Sequence, residues 1–418
     1  MTRLKWFFVV FLRYYRNLGL RVALYATLAL AVAFISPLAV ARVNDWIPLE
    51  LDFQSVMPVL TILASSMLAV STFSLNIMVS AHRAASAATT PRVHRLLLED
   101  TTTQSVLATF IGAFVYSLTS IILYRSNFYA EEAASLIMGV TILVAALVVV
   151  SLLRWIDLLK DLGSVDESIR LARSRAATVL ENFAREPNFG ATPLTKSVVS
   201  PTTTRKLLAP TSGILQLVDI DRLSRCLPST AAVYVLTRPG RHLVEGELLA
   251  EVAGAIDDSV AHEVSNAFVI GQHRTHEQDT EYGLIVLAEI ASRALSPGIN
   301  DPGTAMQTVS ALKEVLWAYV RRAPDEQVTI ADRVFVQFPD EKELLQAAFA
   351  AIARDGAAIV EVAQALRLAL STLADSGNAH LATAAEELAD LSLAYSKQAG
   401  LLEQEIEKLE SIRVVAER

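Results

Sequence analysis

Four stretches of this chain are too long and too uniformly apolar for the helices of an ordinary water-soluble domain. Val22–Val40, Phe53–Ala81, Thr103–Tyr124 and Ala133–Leu153 contain no Asp, Glu, Lys or Arg. A hydrocarbon core about 30 Å thick is crossed by roughly 20 apolar residues in a helix. Inside it, every backbone N–H and C=O must be satisfied within the segment itself. The pattern predicts a membrane all-α domain over residues 22–156, with four transmembrane helices at about 22–41, 55–81, 103–124 and 133–155. Ionisable groups inside spans mark proton and ion coupling. Their absence here argues against a proton-driven transporter.

The basic residues orient the spans. Ten lie on one side: Arg3, Lys5, Arg13, Arg16 and Arg21 before the first span, Arg83, Arg92 and Arg95 after the second, Arg154 and Lys160 after the fourth. The other side has only Arg42 and Arg125, beside Asp45, Glu50, Asp52, Glu131 and Glu132. The positive-inside rule then puts both termini in the cytoplasm of a multi-pass protein of the bacterial inner (plasma) membrane. The first apolar stretch is longer than a signal-peptide core of about 7–15 residues, so it is expected to stay as an anchor. Before it, residues 1–21 mix Trp6, Phe7, Phe8, Tyr14 and Tyr15 with arginines, the composition of an amphipathic helix lying at the membrane surface.

After about Asp157 charges interleave with apolar residues, and a net charge of −8 gives a nucleic-acid partner little electrostatic support. The single cysteine, Cys226, excludes an internal disulfide and a multi-cysteine metal cluster. His273-x-x-His276 lacks the further ligands of a zinc site, so no metal is expected. Nor is there a P-loop, a G-x-G-x-x-G or a G-x-S-x-G elbow. No cofactor is expected, and the enzyme reading is the weakest.

The second span is the polar one: "TILASSMLAVSTFSLNIMVSA". At 100° per residue Thr61, Ser65, Thr72 and Asn76 fall within an arc of about 60°, away from Leu60, Leu63, Met67 and Leu75. Two readings stand. The arc lines a path where several subunits meet, or it lets helices pack closely. Ala108 and Gly112 in the third span offer a small-xxx-small surface for such packing. In the loop that follows the second span, Thr90 and Pro91 predict the cap and start of a short helix, Arg92–Leu98. The loop's His82, His94 and arginines either hold topology or meet an anionic lipid headgroup.

The remainder is expected as a cytoplasmic α+β module. Residues 157–210 read as a connecting helix, Ser168–Phe183, followed by a Pro/Gly/Ser/Thr-rich linker, Glu186–Lys206. Residues 211–253 hold "SGILQLVDI", "AAVYVLT" and "RPGRHLVEGELLAEV", alternating strands with glycine punctuation. They resemble a biotinyl/lipoyl-type barrel-sandwich, but no lysine lies between Leu207 and Lys313, which excludes a swinging-arm carrier. Residues 254–418 read as mainly helical, with a short strand and turn at "DRVFVQFPD". Leu344, Leu345, Ala348, Phe349 and Ile352 mark an amphipathic helix, and Leu388, Leu391, Tyr395, Leu402, Ile406 and Leu409 a final heptad-like one.

Within the module, "RTHEQDTEYGLIVLAEIASRALSPGINDPGTA" is the most unusual stretch. Helical periodicity runs over Glu277–Leu295 and breaks at Ser296-Pro297-Gly298. Asp301 and Pro302 then supply the cap and first position of a second helix reaching about Val320. A helix N-terminus attracts anions. Arg293, Ser296, Asn300, Asp301 and Thr304 at this corner are candidate contacts for a small anionic or nucleotide-like ligand. Arg274 and Asp279 lie at the far end of the first helix, about 25 Å away. They join the site only if antiparallel neighbours bring the two ends together. The alternative is a cap with an ordinary Glu289–Arg293 pair.

With "ASSMLAVSTFSLNIMVSA" and "TPRVHRLLLEDTTTQSVLATFIGAFVYSL", that stretch carries a resemblance to the bacterial predicted membrane protein family called domain of unknown function 2254. The similarity runs along almost the whole chain. It implies four membrane helices and a cytoplasmic domain. The implied signature includes Arg274, Thr275, Gln278, Asp279, Arg293, Ser296, Pro297, Asn300, Asp301, Pro302 and Thr304. Where the family tends to read S-P-R after the second span, this chain has Thr90-Pro91-Arg92, which keeps a hydroxyl. The resulting expectation is an oligomeric channel or transport-like protein regulated by its cytoplasmic module. The alternative is a membrane-anchored sensor or scaffold without a pore. In both readings the partners are the lipid bilayer, further copies of the chain and a small anionic ligand.

Overall fold

The computed structural model of the chain describes residues 18–43, 52–88, 90–98, 101–129, 133–195, 204–322, 324 and 331–415. Most of the expected interfacial helix over 1–21 lies outside them, as do the side chains of His82, His94 and Arg95. The chain divides into two compact units, Met1–Glu167 and Ser168–Arg418.

The first unit consists, among the described residues, of helices α1 (Leu18–Val43), α2 (Phe53–Ala88), α3 (Pro91–Leu98), α4 (Thr101–Arg125) and α5 (Ala134–Asp161). α4 is the central one, packed on α1, α2 and α5. Leu63, Met67 and Met78 of α2 meet Val106, Leu107, Phe110 and Ala113 of α4 and Val148 and Trp155 of α5. Toward the other end Phe53 stacks on Tyr124 at 4.2 Å, and the Tyr129 hydroxyl donates to the Ala33 carbonyl at 2.8 Å. Among the described residues, three stretches are long and apolar enough to cross a membrane: Phe53–Ala81, Thr102–Arg125 and Ala134–Lys160. In α1 the described apolar stretch is shorter, Gly19–Ile35.

Two local expectations need correction. Gly112 faces Tyr25 of α1 (its Cβ would sit 3.5 Å from that of Tyr25), so this glycine of the small-xxx-small pair serves packing on α1 rather than on α2. The Thr90 hydroxyl is buried and makes no hydrogen bond, so it does not cap α3, which begins at Pro91 itself.

The second unit begins within α6 (Val165–Arg185) and joins a β-part to a helical part. Its strands are β1 (Ala191–Pro193), β2 (Thr204–Leu208), β3 (Gly213–Val218), β4 (Ala232–Val235), β5 (His242–Leu243), β6 (Leu248–Ala253), β7 (Phe268–Gly271) and β8 (Ala331–Val336). They form a five-stranded sheet, β1-β8-β4-β6-β2, and a three-stranded one, β5-β3-β7. β8 runs parallel to both β1 and β4, and the other pairs are antiparallel. Both sheets share one core, in which Leu215, Val218 and Leu243 meet Val233, Val235, Leu249, Val252 and Val334. Short helices α7 (Ile220–Cys226) and α8 (Asp258–Ser265) cover this core.

The strands expected in 211–253 are present, but β1, β2, β7 and β8 join them from outside that segment. The supposed linker Glu186–Lys206 contains a 3-10 turn (Pro187–Gly190), β1 and the start of β2. Its turn-rich composition was a poor guide because both strands are held by distant partners, β8 and β6.

The helical part contains α9 (Tyr282–Ala294), α10 (Pro302–Val320), α11 (Glu341–Asp355), α12 (Val360–Ala374), α13 (Ala379–Gln398) and α14 (Glu403–Ser411). α9 packs on α10 and α11, α12 on α10 and α13, and α13 on α11. α9 also passes close to α6, where a Cβ on Gly283 would meet the Ala176 Cα at 2.6 Å. The helix expected over Glu277–Leu295 starts five residues later, at Tyr282. The final heptad-like segment is two helices, because Gly400 turns the backbone at φ 83° between α13 and α14.

Candidate functional site

The first half of the unusual stretch is a buried polar joint. Asp279, 3% exposed, accepts a hydrogen bond from the Tyr282 N–H at 3.0 Å at the start of α9. Its carboxylate also takes a two-pronged contact from Arg274, Nε to Oδ2 at 2.6 Å and Nη2 to Oδ1 at 2.8 Å. This fork is the strong geometry for a guanidinium and a carboxylate. The Arg274 guanidinium lies 5.3 Å from the Tyr282 ring centroid, and the His276 ring is 4.5 Å from the same ring. Burial pushes the Asp279 carboxyl above its ordinary value, outweighing Arg274 and the backbone N–H bonds that pull it down. For Arg274, burial works to lower the value, and Asp279 more than offsets it.

A second segment closes over this pair. Gly240 adopts φ +93°, and a Cβ there would lie 2.2 Å from Asp279 Oδ2 and 2.8 Å from Arg274 Nη2. Beside it, Arg238 bonds Glu343 at 2.8 Å and reaches Glu281 at 3.4 Å. Burial also holds the Glu281 carboxyl above its usual range, against the pull of Arg238. Gln278 ties the joint to β3, its amide accepting from the Val218 N–H at 2.7 Å and donating to the Val218 carbonyl at 3.0 Å. The sequence reading named Arg274 and Asp279 but missed Arg238, Gly240, Glu281 and Glu343. The Arg-Pro-Gly turn was visible, but its contact with residues some 40 positions away was not.

The second half is an exposed corner. Ser296 donates to the Arg293 carbonyl at 2.7 Å, and Asp301 N–H to the Ala294 carbonyl at 2.8 Å. Asn300 turns at φ 52°, in the left-handed region that asparagine tolerates. Asp301 caps α10, accepting from Thr304 N–H at 3.1 Å and Thr304 Oγ1 at 2.6 Å. Those bonds from Thr304 hold its carboxyl below the usual range. Residues 297–301 are all exposed. The thirteen residues of α9 separate Arg274 and Asp279 from this corner by about 20 Å. One chain does not bring the two groups together. His273-x-x-His276 is not on a helix, and among the described residues no cluster of three or more His, Cys, Asp or Glu could hold a metal ion.

In the first unit Thr61, Ser65, Thr72 and Asn76 share an exposed face of α2, while Leu60, Leu63 and Met67 on the other side are buried. Leu75, off the arc, is 43% exposed. Thr61, Ser65 and Thr72 each donate to the carbonyl four residues back, at 2.8, 2.9 and 2.9 Å. The stripe is longer than the sequence reading had it. Gln54 and Arg83 are exposed too and continue the same alternation of seven and four positions. That eleven-residue repeat stays on one line of a helix with about 3.6 residues per turn.

The family model described as Predicted membrane protein (DUF2254) matches residues 16–372, a range that takes in both the α2 stripe and the whole Arg274–Thr304 signature. The chain belongs to that family. Among similar proteins are an uncharacterized protein of Mycobacterium bovis and two of Mycobacterium tuberculosis, each 27% identical over 334 residues. The alignment covers 76% of this chain and 63% of each relative, so this DUF2254 chain spans less than two thirds of their length. No solved structure matches it.

Proposed function

We propose that the chain is a subunit of an oligomeric channel or transport-like protein of the bacterial inner membrane, regulated by its C-terminal unit. It crosses the bilayer four times with both termini in the cytoplasm, α1 included, as the excess of Lys and Arg on one side supports. The observation that carries the reading is the exposed stripe from Gln54 through Thr61, Ser65, Thr72 and Asn76 to Arg83, which keeps one line along a helix whose span Phe53–Ala81 is apolar enough to cross a membrane. A primary amide such as that of Asn76 is poorly placed against lipid tails, where nothing bonds it. Turning the stripe toward a shared axis of several copies removes that penalty. Because each hydroxyl proton is committed to its own helix, the oxygen lone pairs are left to accept from water or hold a cation.

The test uses the full chain carrying Cys226→Ser, reconstituted in liposomes. Thr72→Cys and Asn76→Cys are expected to react with a membrane-impermeant thiol reagent, and Leu63→Cys is not. Thiols at Thr72 and Asn76 that stay inert while ion flux is absent would sink the channel.

The second reading is a sensor or scaffold without a pore. It is favoured by the same intrahelical bonds, which let the stripe zip against another copy without water. There the small anionic ligand meets the exposed corner through Arg293, Ser296, Asn300 and Thr304, with Asp301 as the cap that shapes it. Arg274 and Asp279 hold the other end of α9 in register.

A further inference from the structure

A cavity of about 440 Å³ opens in the second unit, and none of the candidate residues above lines it. Its size falls within the usual range of small-molecule sites. Three aromatic rings line it: Phe183 from α6, Tyr319 from α10 and Phe338 after β8. Phe183 lies 5.5 Å from Phe338 and 6.2 Å from Tyr319, ring centre to ring centre. Phe189 braces Phe338 from behind at 5.4 Å.

The backbone at the cavity edge is held in a disfavoured conformation. Asn188 and Phe189 both take left-handed φ, 53° and 51°. Two consecutive non-glycine residues there are uncommon, and such strain gathers at functional sites. The result puts Asn188 in the cavity wall and Phe189 against Phe338.

Four polar groups of the lining have no side-chain partner among the described residues: the Asn188 amide, the Tyr319 hydroxyl, Glu341 Oε2 and the Arg322 guanidinium. Glu341 Oε1 takes only a long bond, 3.3 Å, from Asn378 Nδ2. Burial, with the Glu341 charge behind it, raises the Tyr319 hydroxyl far above its usual range, so it stays a neutral donor.

We infer that this cavity is a binding site for a guanine nucleotide. The flat base lies against the Phe183–Tyr319–Phe338 wall. Its ring N–H and exocyclic amine give the Glu341 carboxylate the donors it lacks, and Asn188 supplies a donor and an acceptor beside it. Arg322 at the exposed rim meets the phosphates, the task a guanidinium suits best. The cavity carries this inference independently of any conduit in the first unit.

The experiment measures equilibrium dialysis of labelled GDP and ADP against the detergent-purified full chain, with guanosine, adenosine and inorganic phosphate as competitors. GDP is expected to bind saturably, and ADP, whose base has no ring N–H to give Glu341, more weakly. Glu341→Gln is expected to weaken nucleotide and nucleoside alike by about tenfold or more. Arg322→Ala should weaken only the nucleotide. Phe338→Leu, with its thermal transition measured to show that the unit is folded, should weaken both. Absence of saturable GDP binding, or ADP binding as tight as that of GDP, overturns the proposal. So does binding that Glu341→Gln and Arg322→Ala both leave intact, or binding that inorganic phosphate displaces as readily as the nucleoside does.

Discussion

Gly240 is held more tightly than any other glycine near the candidate residues. Both its left-handed φ and the 2.2 Å approach to Asp279 exclude a side chain. Gly240→Ala is therefore expected to destabilise the chain by about 2–4 kcal/mol, read as a lower thermal transition in detergent. Arg274→Ala leaves a buried carboxylate without its cation and is expected to lose about 3–5 kcal/mol. Arg274→Ala combined with Asp279→Asn should recover part of that loss. The Asp279 carboxyl also predicts a pH effect of definite sign. Its folded value is raised, so its contribution to stability is fully present below the unfolded value near 3.8 and lost as pH rises through the folded one. Relative to Asp279→Asn, the wild type should therefore gain stability as pH falls through the window just above 3.8. A gain in the opposite direction would mean that Arg274 outweighs burial. Local chemistry of this kind was legible only when it was sequential. Asp301-Pro302 announced the α10 cap because cap and helix are neighbours in the chain. Gly240 and Arg238 announced nothing, since their partners lie at Asp279, Glu281 and Glu343.

Helices were legible in type and less so at their ends. The amphipathic period over Leu284, Leu287, Ala288 and Ala291 does bury α9, but the Asp279 side chain sets its start after a non-helical run. The same holds at the far end of the chain, where one glycine splits an apparently continuous seam. Between α6 and α9 the contact is nearly backbone to backbone at Ala176 and Gly283. Gly283→Val should force the two helices apart, with an expected loss of about 1–3 kcal/mol in denaturant titrations. On α2 the polar stripe makes a different prediction. Asn76→Leu should leave the single chain as stable as before, because Asn76 is exposed in it. If the stripe meets another copy, the same change should weaken self-association by about 0.6–2 kcal/mol, measured by energy transfer between labelled chains in liposomes. Unchanged association would place the contact on another face.

At the scale of the whole chain the two regimes of composition do mark two units, apolar before Glu167 and mixed after it. The sheet was only half visible. Strands with a sequence neighbour, such as β3 to β6, showed their alternation and turns. β8 showed itself as the short strand expected at "DRVFVQFPD" but not its place in the sheet, and β1, only three residues long beside turn signals, becomes a strand only by pairing with β8 across some 140 residues. Arg333 in β8 fastens that pairing to α7, donating to the carbonyls of Leu227 and Ser224 at 3.1 and 3.3 Å. Arg333→Ala should accordingly destabilise the second unit by about 1–3 kcal/mol and increase its proteolysis near β8.

The place of β8 between β1 and β4 also sets an order of events during synthesis. Neither parallel edge can be filled until the ribosome has passed Val336, long after the last apolar helix has been made. The nascent chain thus enters the bilayer with a large open strand edge on its unfinished half. A stalled product ending before Ala331 should be caught by chaperones or aggregate, although its membrane segment is complete.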